Sequence, residues 1–194
     1  MPATTRSQNR LKSTSNITTT TGSTTTTTTT PRTTNMQTAA RTFMSSPLIA
    51  VAGASSNPQK FGHKIFAWYL SQNYTPIPIN PASPSIKVQQ KAFDTLPSPS
   101  SLREPGKTSL SIITPPEITK QILKEARDAG VKAVWLQPGS FGADELAYAE
   151  REFPGAAVGG FGDGTVGGEG WCVLVDGERA LREAKKKREG EEKL

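Results

Sequence analysis

The residues best suited to chemistry form a short polar segment directly after the first apolar run of the chain. Gly53 and Ala54 are followed by the hydroxyls of Ser55 and Ser56, and a lysine comes at Lys60. A glycine lets a backbone approach a ligand closely, and the N–H groups at the start of a helix attract anions. This pattern favours a phosphate site with Lys60 as counter-charge, although a single glycine after a strand is also typical of a simple tight turn.

Three further segments end predicted strands, and all of them are polar or small. They are Asn80-Pro81, Thr114-Pro115-Pro116 and Gln137-Pro138-Gly139-Ser140. In an open parallel sheet, ligands bind beyond the carboxyl ends of the strands. None of these segments pairs a nucleophile with a general base, so the sequence predicts a binding crevice with no catalytic residue.

The residue type at the end of the second predicted strand distinguishes between the candidate nucleotide ligands. An NAD site normally places an Asp or Glu there to hold the ribose hydroxyls, whereas this chain has the neutral Asn80. NAD is therefore disfavoured. NADP remains possible, with Lys87 or Lys91 pairing with a ribose phosphate.

Thiol and imidazole chemistry are limited by composition. The chain has one cysteine, Cys172, and one histidine, His63, which excludes an intramolecular disulfide and the usual zinc sites. We predict no metal site, with carboxylate-bound magnesium the remaining alternative. Cys172 is expected to be a buried thiol in a strand, and His63 is expected to face solvent.

Apolar runs alternate with helical patterns through the middle of the chain. Helices are predicted around Ile65–Leu70, from an N-cap at Thr114 to Gly130 with Glu117 closing a capping box, and over Ala143–Phe153. The predicted strands are 48–53, 75–79, 109–113, 131–136, 156–158 and 171–175. This alternation predicts an α/β fold, a Rossmann-like three-layer sandwich with a mostly parallel sheet.

The two ends of the chain differ from its middle. Residues 1–46 contain eighteen threonines, five basic residues and no acid, which predicts a disordered Thr-rich tail or a mitochondrial transit peptide. Arg41-Thr42-Phe43 resembles a matrix-protease cleavage site, and translation starting at Met36 or Met44 is an alternative. The domain is expected over residues 47–181, with a charged tail over 182–194. The sequence therefore does not decide whether the protein is located in the mitochondrial matrix or in the cytoplasm.

The charge distribution bears on partners. Residues 47–181 hold twelve basic and thirteen acidic residues, which argues against a broad nucleic-acid-binding face. No apolar run approaches the roughly 20 residues that a membrane span needs. We expect a small-molecule ligand and neither nucleic acid nor membrane as partner, and the sequence leaves a protein partner unidentified.

Four blocks of sequence carry a family resemblance. Gly53-Ala54-Ser55 with Pro58, Lys60 and Gly62, then Pro78-Ile79-Asn80-Pro81, Thr114-Pro115-Pro116 and Val134-Trp135-Leu136-Gln137-Pro138-Gly139 occur in this order. They resemble the small CoA-binding-domain family, which is similar to the CoA-binding domain of the succinyl-CoA ligase alpha subunit. The resemblance covers about residues 47–176.

The resemblance implies a site for CoA. Gly53, Ala54, Ser55 and Ser56 would face the phosphates with Lys60, and Asn80 and Pro81 would lie by the adenosine. Thr114 and Pro115 would lie by the pantetheine arm, and Gln137, Pro138 and Gly139 would form the rim. The ligase uses a phosphorylated histidine from another domain, and this chain has no histidine after His63, so we expect no ligase chemistry from it.

These observations predict a non-catalytic protein that binds CoA or acyl-CoA as a sensor, carrier or adaptor. The alternative is an NADP-binding, oxidoreductase-like protein. The stretch 159–170 contains seven glycines and is expected to be either a lid over the site or a flexible surface insertion.

Overall fold

A computed structural model describes residues 36–161, 164–166 and 168–191. Its strands are β1 (Leu48–Ala52), β2 (Ile77–Ile79), β3 (Ser85–Val88), β4 (Lys91–Asp94), β5 (Thr108–Ile112), β6 (Ala133–Leu136) and β7 (Ala157–Val158). Its α-helices are α1 (Met36–Met44), α2 (Phe61–Ser71), α3 (Pro116–Ala129), α4 (Ala143–Glu152) and α5 (Val173–Glu191). Five strands form one parallel sheet in the order β2-β1-β5-β6-β7, while β3 and β4 form a separate antiparallel hairpin.

Side chains on the two faces of the sheet bury themselves in two apolar clusters. Ile49 and Val51 of β1 pack in the cluster that also holds residues of α1, α2 and α5. Ala50 and Ala52 point the other way, into the cluster built with α3 and α4. This alternation follows from the two-residue period of a strand. The predicted Rossmann-like three-layer sandwich is confirmed.

The compact fold begins earlier than the sequence suggested. Helix α1 occupies residues expected to belong to the Thr-rich tail, and its apolar side chains at positions 36, 39, 40, 43 and 44 are buried. Phe43 lies edge-on to Trp135 of β6, with 5.4 Å between ring centroids. The domain boundary at residue 47 is therefore too late, because an amphipathic helix precedes it. The cleavage site predicted around Arg41-Thr42-Phe43 lies inside this helix. The expectation for residues 1–35 lies outside the described part of the chain.

The end of the domain also differs from the prediction. Residues 171–175 were expected to form a strand, yet α5 starts at Val173 and continues past residue 182, where a separate tail was expected. Ala180, Leu181 and Ala184 are buried in the same cluster as α1. Apolar side chains recurring every three to four residues therefore pack this helix against the domain.

Smaller differences occur around the remaining elements. Helix α3 begins one residue later than predicted, with Pro115 as its N-cap and no side chain capping it. Thr114 lies outside the helix with its hydroxyl 2.8 Å from that of Thr119, so the predicted capping box with Glu117 does not form. The β3–β4 hairpin was not predicted. In the described ranges, no helix has the length and apolar character to span a bilayer.

The strand order sets the position of a ligand crevice. The chain leaves β1 toward β2 on one side, and β5 lies on the other side of β1. Connections that diverge from neighbouring strands open a crevice at their carboxyl ends. Here that crevice lies between the segments that follow β1 and β5, which begin at Gly53 and Ile113.

Candidate functional site

Two adjoining cavities occupy this crevice. The first has a volume of about 720 Å³, and the predicted site residues that line it are Gly53, Ala54, Ser55, Lys60, Asn80, Pro81, Thr114 and Pro115. The second has a volume of about 650 Å³, and the predicted site residues that line it are Thr114, Pro115, Gln137, Pro138 and Gly139. Both volumes lie within the range of ligand pockets. Phe61, Ile113, Thr114 and Pro115 line both cavities, so the crevice is one groove with two lobes.

The loop after β1 is held very close to helix α2. Gly53 has a φ of +89°, a conformation that glycine adopts without strain. A β-carbon added at Gly62 would lie 2.0 Å from the carbonyl oxygen of Gly53, far inside contact distance. Glycine at position 62 therefore allows the first turn of α2 to pack directly on this loop.

The same arrangement leaves N–H groups available at the floor of the first cavity. Helix α2 has Lys60 as its N-cap and no capping side chain, and the first amides of a helix have no partner within it. In the described part of the chain, the backbone amides of Ala54 and Ser55 donate to no protein acceptor. These donors and the Lys60 side chain make the first cavity suited to an anion.

Hydrogen bonds within the loop fix its shape. The Ser55 hydroxyl oxygen accepts a bond of 3.1 Å from the Asn57 amide, and the Asn57 side-chain oxygen accepts one of 2.9 Å from Gln59. His63 is half-buried, with its Nδ1 atom 3.1 Å from the Ser55 carbonyl oxygen. The expectation that His63 faces solvent is therefore wrong, because this contact ties helix α2 to the loop.

Asn80 lines the first cavity at the end of β2. Its side-chain Nδ2 donates to the Ala54 carbonyl oxygen at 3.0 Å, and its Oδ1 accepts a bond of 2.9 Å from the Ala82 amide. A carboxylate in place of the amide would lack the donor that reaches Ala54. The Asn80 amide thus joins the ends of β1 and β2.

Two predicted site residues have other contacts. Ser56 lines neither cavity, and its hydroxyl accepts the Lys87 amide at 3.0 Å, which attaches the β3–β4 hairpin to the loop. Gln137 is buried, donates to the Ser111 hydroxyl at 3.2 Å and accepts the Val173 amide at 3.0 Å. The Gln137 side chain therefore fixes the start of α5 to the sheet, although the residue lines the second cavity.

The structure adds residues that the sequence did not single out. Phe61 is 57% exposed at the junction of the two cavities. Cys172 was expected in a strand, but it precedes α5, is half-buried and lines the second cavity together with Glu169. Burial raises the pKa of the Cys172 thiol, so it is protonated at neutral pH. In the described ranges, the titratable side chains that line the groove are Lys60, Glu169 and Cys172.

A buried carboxylate holds the glycine-rich segment next to the second cavity. Asp176 accepts hydrogen bonds from the Thr165 hydroxyl at 3.0 Å and from the Val166 and Cys172 amides at 3.2 Å. Arg179 pairs with it at 3.3 Å. The described part of this segment is thus attached to α5, and Gly168, Glu169 and Gly170 contribute to the cavity wall. No group of histidine, cysteine and acidic side chains suited to a metal occurs in the ranges that the structure describes.

Fold and groove together define a Rossmann-like domain with a ligand crevice at the carboxyl ends of β1 and β5. The CoA binding domain family model matches residues 48–167, which is more than half of the chain. The chain therefore belongs to the CoA-binding-domain family, as the four sequence blocks suggested. No curated protein matches the chain.

Solved structures share the fold. A conserved hypothetical protein from Pyrococcus furiosus is 28% identical, with a TM-score of 0.51, and the match covers 58% of this chain and 93% of that one. A hypothetical protein from Pyrococcus horikoshii is 20% identical, with a TM-score of 0.59 and coverage of 75% and 92%. A protein from Thermus thermophilus is 24% identical, with a TM-score of 0.58 and coverage of 74% and 98%.

Proposed function

We propose that this protein binds CoA or acyl-CoA in the two-lobed groove, without catalysing a reaction, and acts as a sensor, carrier or adaptor. The observation that carries the proposal is the groove itself. Both lobes have mainly apolar walls, and the first lobe adds free backbone amides and Lys60 beneath a tight loop. An anion site at one end of an otherwise apolar groove suits CoA, whose anionic nucleotide continues into a less polar arm.

The diphosphate is assigned to the first lobe. Amides of Ala54, Ser55 and the start of α2 would donate to its oxygens, and Lys60 would balance its charge. Asn80 and Pro81 would lie by the adenosine. Thr114 and Pro115, which line both lobes, would contact the pantetheine arm as it passes toward Pro138 and Gly139.

The non-catalytic part of the proposal rests on the side chains of the groove. Among the described lining residues, none is a histidine and none pairs a base with the Cys172 thiol. Burial raises the pKa of that thiol, which makes it a poor nucleophile at neutral pH. Binding without turnover suits a sensor, carrier or adaptor.

The proposal is tested by calorimetric titration with CoA, NADP and NAD. We expect CoA to bind and NAD to fail. Lys60→Ala should weaken CoA binding about 5- to 150-fold, the equivalent of about 1–3 kcal/mol for a charge-assisted contact. Lys124→Ala is the matched control, because this substitution removes the same charge from a residue that is exposed on α3 and lies outside both lobes. Binding of NADP without CoA would favour the oxidoreductase-like alternative.

The location of the protein is a separate proposal. We propose that the Thr-rich N-terminal segment directs import into the mitochondrial matrix, on the basis of its basic, acid-free composition. Because Phe43 and Met44 are buried in the domain, the cut should fall before Met36. A reporter fused to residues 1–35 that stays diffuse in the cytoplasm would exclude this role.

A further inference from the structure

We infer that the second lobe is an acyl-chain site, so that the preferred ligand is a CoA thioester with an uncharged, apolar acyl group. This inference rests on the proposed function, because it takes the CoA nucleotide to occupy the first lobe. It adds the chemical class of the acyl group, which neither the family nor the fold specifies.

The second lobe is apolar and large. Its wall includes Ile65, Ile113, Leu174 and Val175 together with several prolines. Its volume of about 650 Å³ is close to that of the nucleotide lobe, and the thiol end of a pantetheine arm is much smaller than a nucleotide. A free thiol would leave apolar wall unoccupied, whereas an acyl chain would cover it.

Exposed apolar side chains lie at the rim of the second lobe. Phe61 is 57% exposed and Val175 is 49% exposed, and both line this lobe. Large apolar side chains in contact with water around a cavity favour an apolar ligand, since covering them removes that surface from water. Phe61 also lines the nucleotide lobe, so one ligand that passes through both lobes would cover it.

An acidic side chain lies in the wall of the second lobe. This residue is Glu169, and no lysine or arginine of the described residues lines the lobe, while Lys64 Nζ lies over Phe61 at the rim, 5.2 Å from its ring centroid. A carboxylated acyl group, such as that of succinyl-CoA, would place its negative charge near Glu169 with no cation in the wall to balance it. Like charges at short range disfavour binding. The lobe therefore selects neutral acyl groups.

The expected effect follows from the burial of methylene groups. One fully buried methylene tightens binding roughly fourfold. Hexanoyl-CoA has four more methylenes than acetyl-CoA, and burial of only two of them makes its affinity about 15-fold higher. The test is therefore a calorimetric comparison of CoA, acetyl-CoA, hexanoyl-CoA and succinyl-CoA with the full chain. We expect hexanoyl-CoA to bind at least about tenfold more tightly than acetyl-CoA, and succinyl-CoA to bind more weakly than both.

Substitutions in the wall of the second lobe test whether the acyl group binds there. Val175→Phe fills part of it and should weaken hexanoyl-CoA binding more than acetyl-CoA binding. Val166→Phe is the matched control, because Val166 is exposed and lines neither lobe, so all affinities should stay at the wild-type level. Glu169→Gln should raise the affinity for succinyl-CoA several-fold and leave that for hexanoyl-CoA unchanged.

Cys172 provides a second readout that does not depend on affinity. It is the only cysteine of the chain and it lines the lobe, so its alkylation by iodoacetamide reports occupancy there. At saturation, hexanoyl-CoA should slow this alkylation more than acetyl-CoA does, and neither ligand carries a free thiol that would consume the reagent. Equal protection would contradict an acyl chain in the second lobe.

The outcomes separate the inference from the proposed function. If CoA binds but hexanoyl-CoA binds no more tightly than acetyl-CoA, the acyl site is excluded and CoA binding stands. If succinyl-CoA binds as tightly as hexanoyl-CoA, the selection for neutral acyl groups is wrong. If none of the four ligands binds, both the proposed function and this inference fail.

Discussion

Replacing Gly62 by alanine adds one methyl group where α2 passes closest to the loop after β1. The new β-carbon would lie 2.0 Å from the Gly53 carbonyl oxygen and 3.0 Å from its carbonyl carbon. Both atoms belong to the backbone, so no side-chain rotation relieves the clash. The helix and the loop have to separate by about 1 Å or more to restore an ordinary contact.

This separation has a cost in stability. Overpacking typically costs about 1–3 kcal/mol, which for a domain of this size lowers the melting temperature by roughly 2–12 °C. Moving the first turn of α2 away from Ala54 and Ser55 also separates the amides that we assign to the diphosphate. We therefore expect Gly62→Ala to lower both the melting temperature, measured by circular dichroism, and the affinity for CoA, measured by calorimetry.

The matched control is Gly190→Ala in α5. Gly190 is also helical, and a β-carbon added there meets no atom within 4 Å. Alanine is favoured over glycine within helices, so this variant should be at least as stable as the wild type and bind CoA equally well. A Gly62→Ala protein with wild-type stability and wild-type affinity would refute the close packing of α2 on the loop.

Three further predictions concern other contacts of the fold. Asp176→Asn should cost about 1–3 kcal/mol by weakening hydrogen bonds to a buried charge and should speed proteolysis of the glycine-rich segment. The control Asp128→Asn, at an exposed ion pair, should change neither the stability nor the rate of proteolysis. Equal behaviour of the two variants would contradict the role of Asp176. Phe43→Ala should destabilise the protein by about 3–5 kcal/mol and alter the fluorescence of Trp135, whereas unchanged stability would mean that α1 does not pack on the domain. Burial raises the pKa of Cys172, so its thiolate forms at higher pH than that of an ordinary cysteine. Alkylation of Cys172 near pH 8 should therefore be slower in the folded protein than in the unfolded chain. Equal rates would contradict this burial.

The sequence predicts the central sheet and the crevice well, since both depend on local signals. The apolar run of β1 ends at a glycine, and polar segments end β2, β5 and β6, so the lining of the groove follows from strand order. The ends of the domain were mispredicted although their periodicity was present. Apolar residues recur at helical spacing in α1, but they adjoin a Thr-rich stretch whose composition dominates any longer window.

Other features depend on contacts between residues distant in the chain. Gln137 was expected at the rim of the ligand site, and only the fold shows that its side chain joins Ser111 to the start of α5. Likewise, Cys172 enters the groove because α5 begins just after it. Such roles are set by tertiary packing, which overrides the local preference of a short apolar segment for a strand.

A crystal structure of the protein grown with CoA tests whether CoA occupies the groove with its diphosphate beneath the loop after β1. We expect diphosphate oxygens within hydrogen-bonding distance of the Ala54 and Ser55 amides, with the pantetheine arm passing Thr114 and Pro115. An empty groove at saturating CoA, or CoA bound elsewhere on the protein, would contradict it.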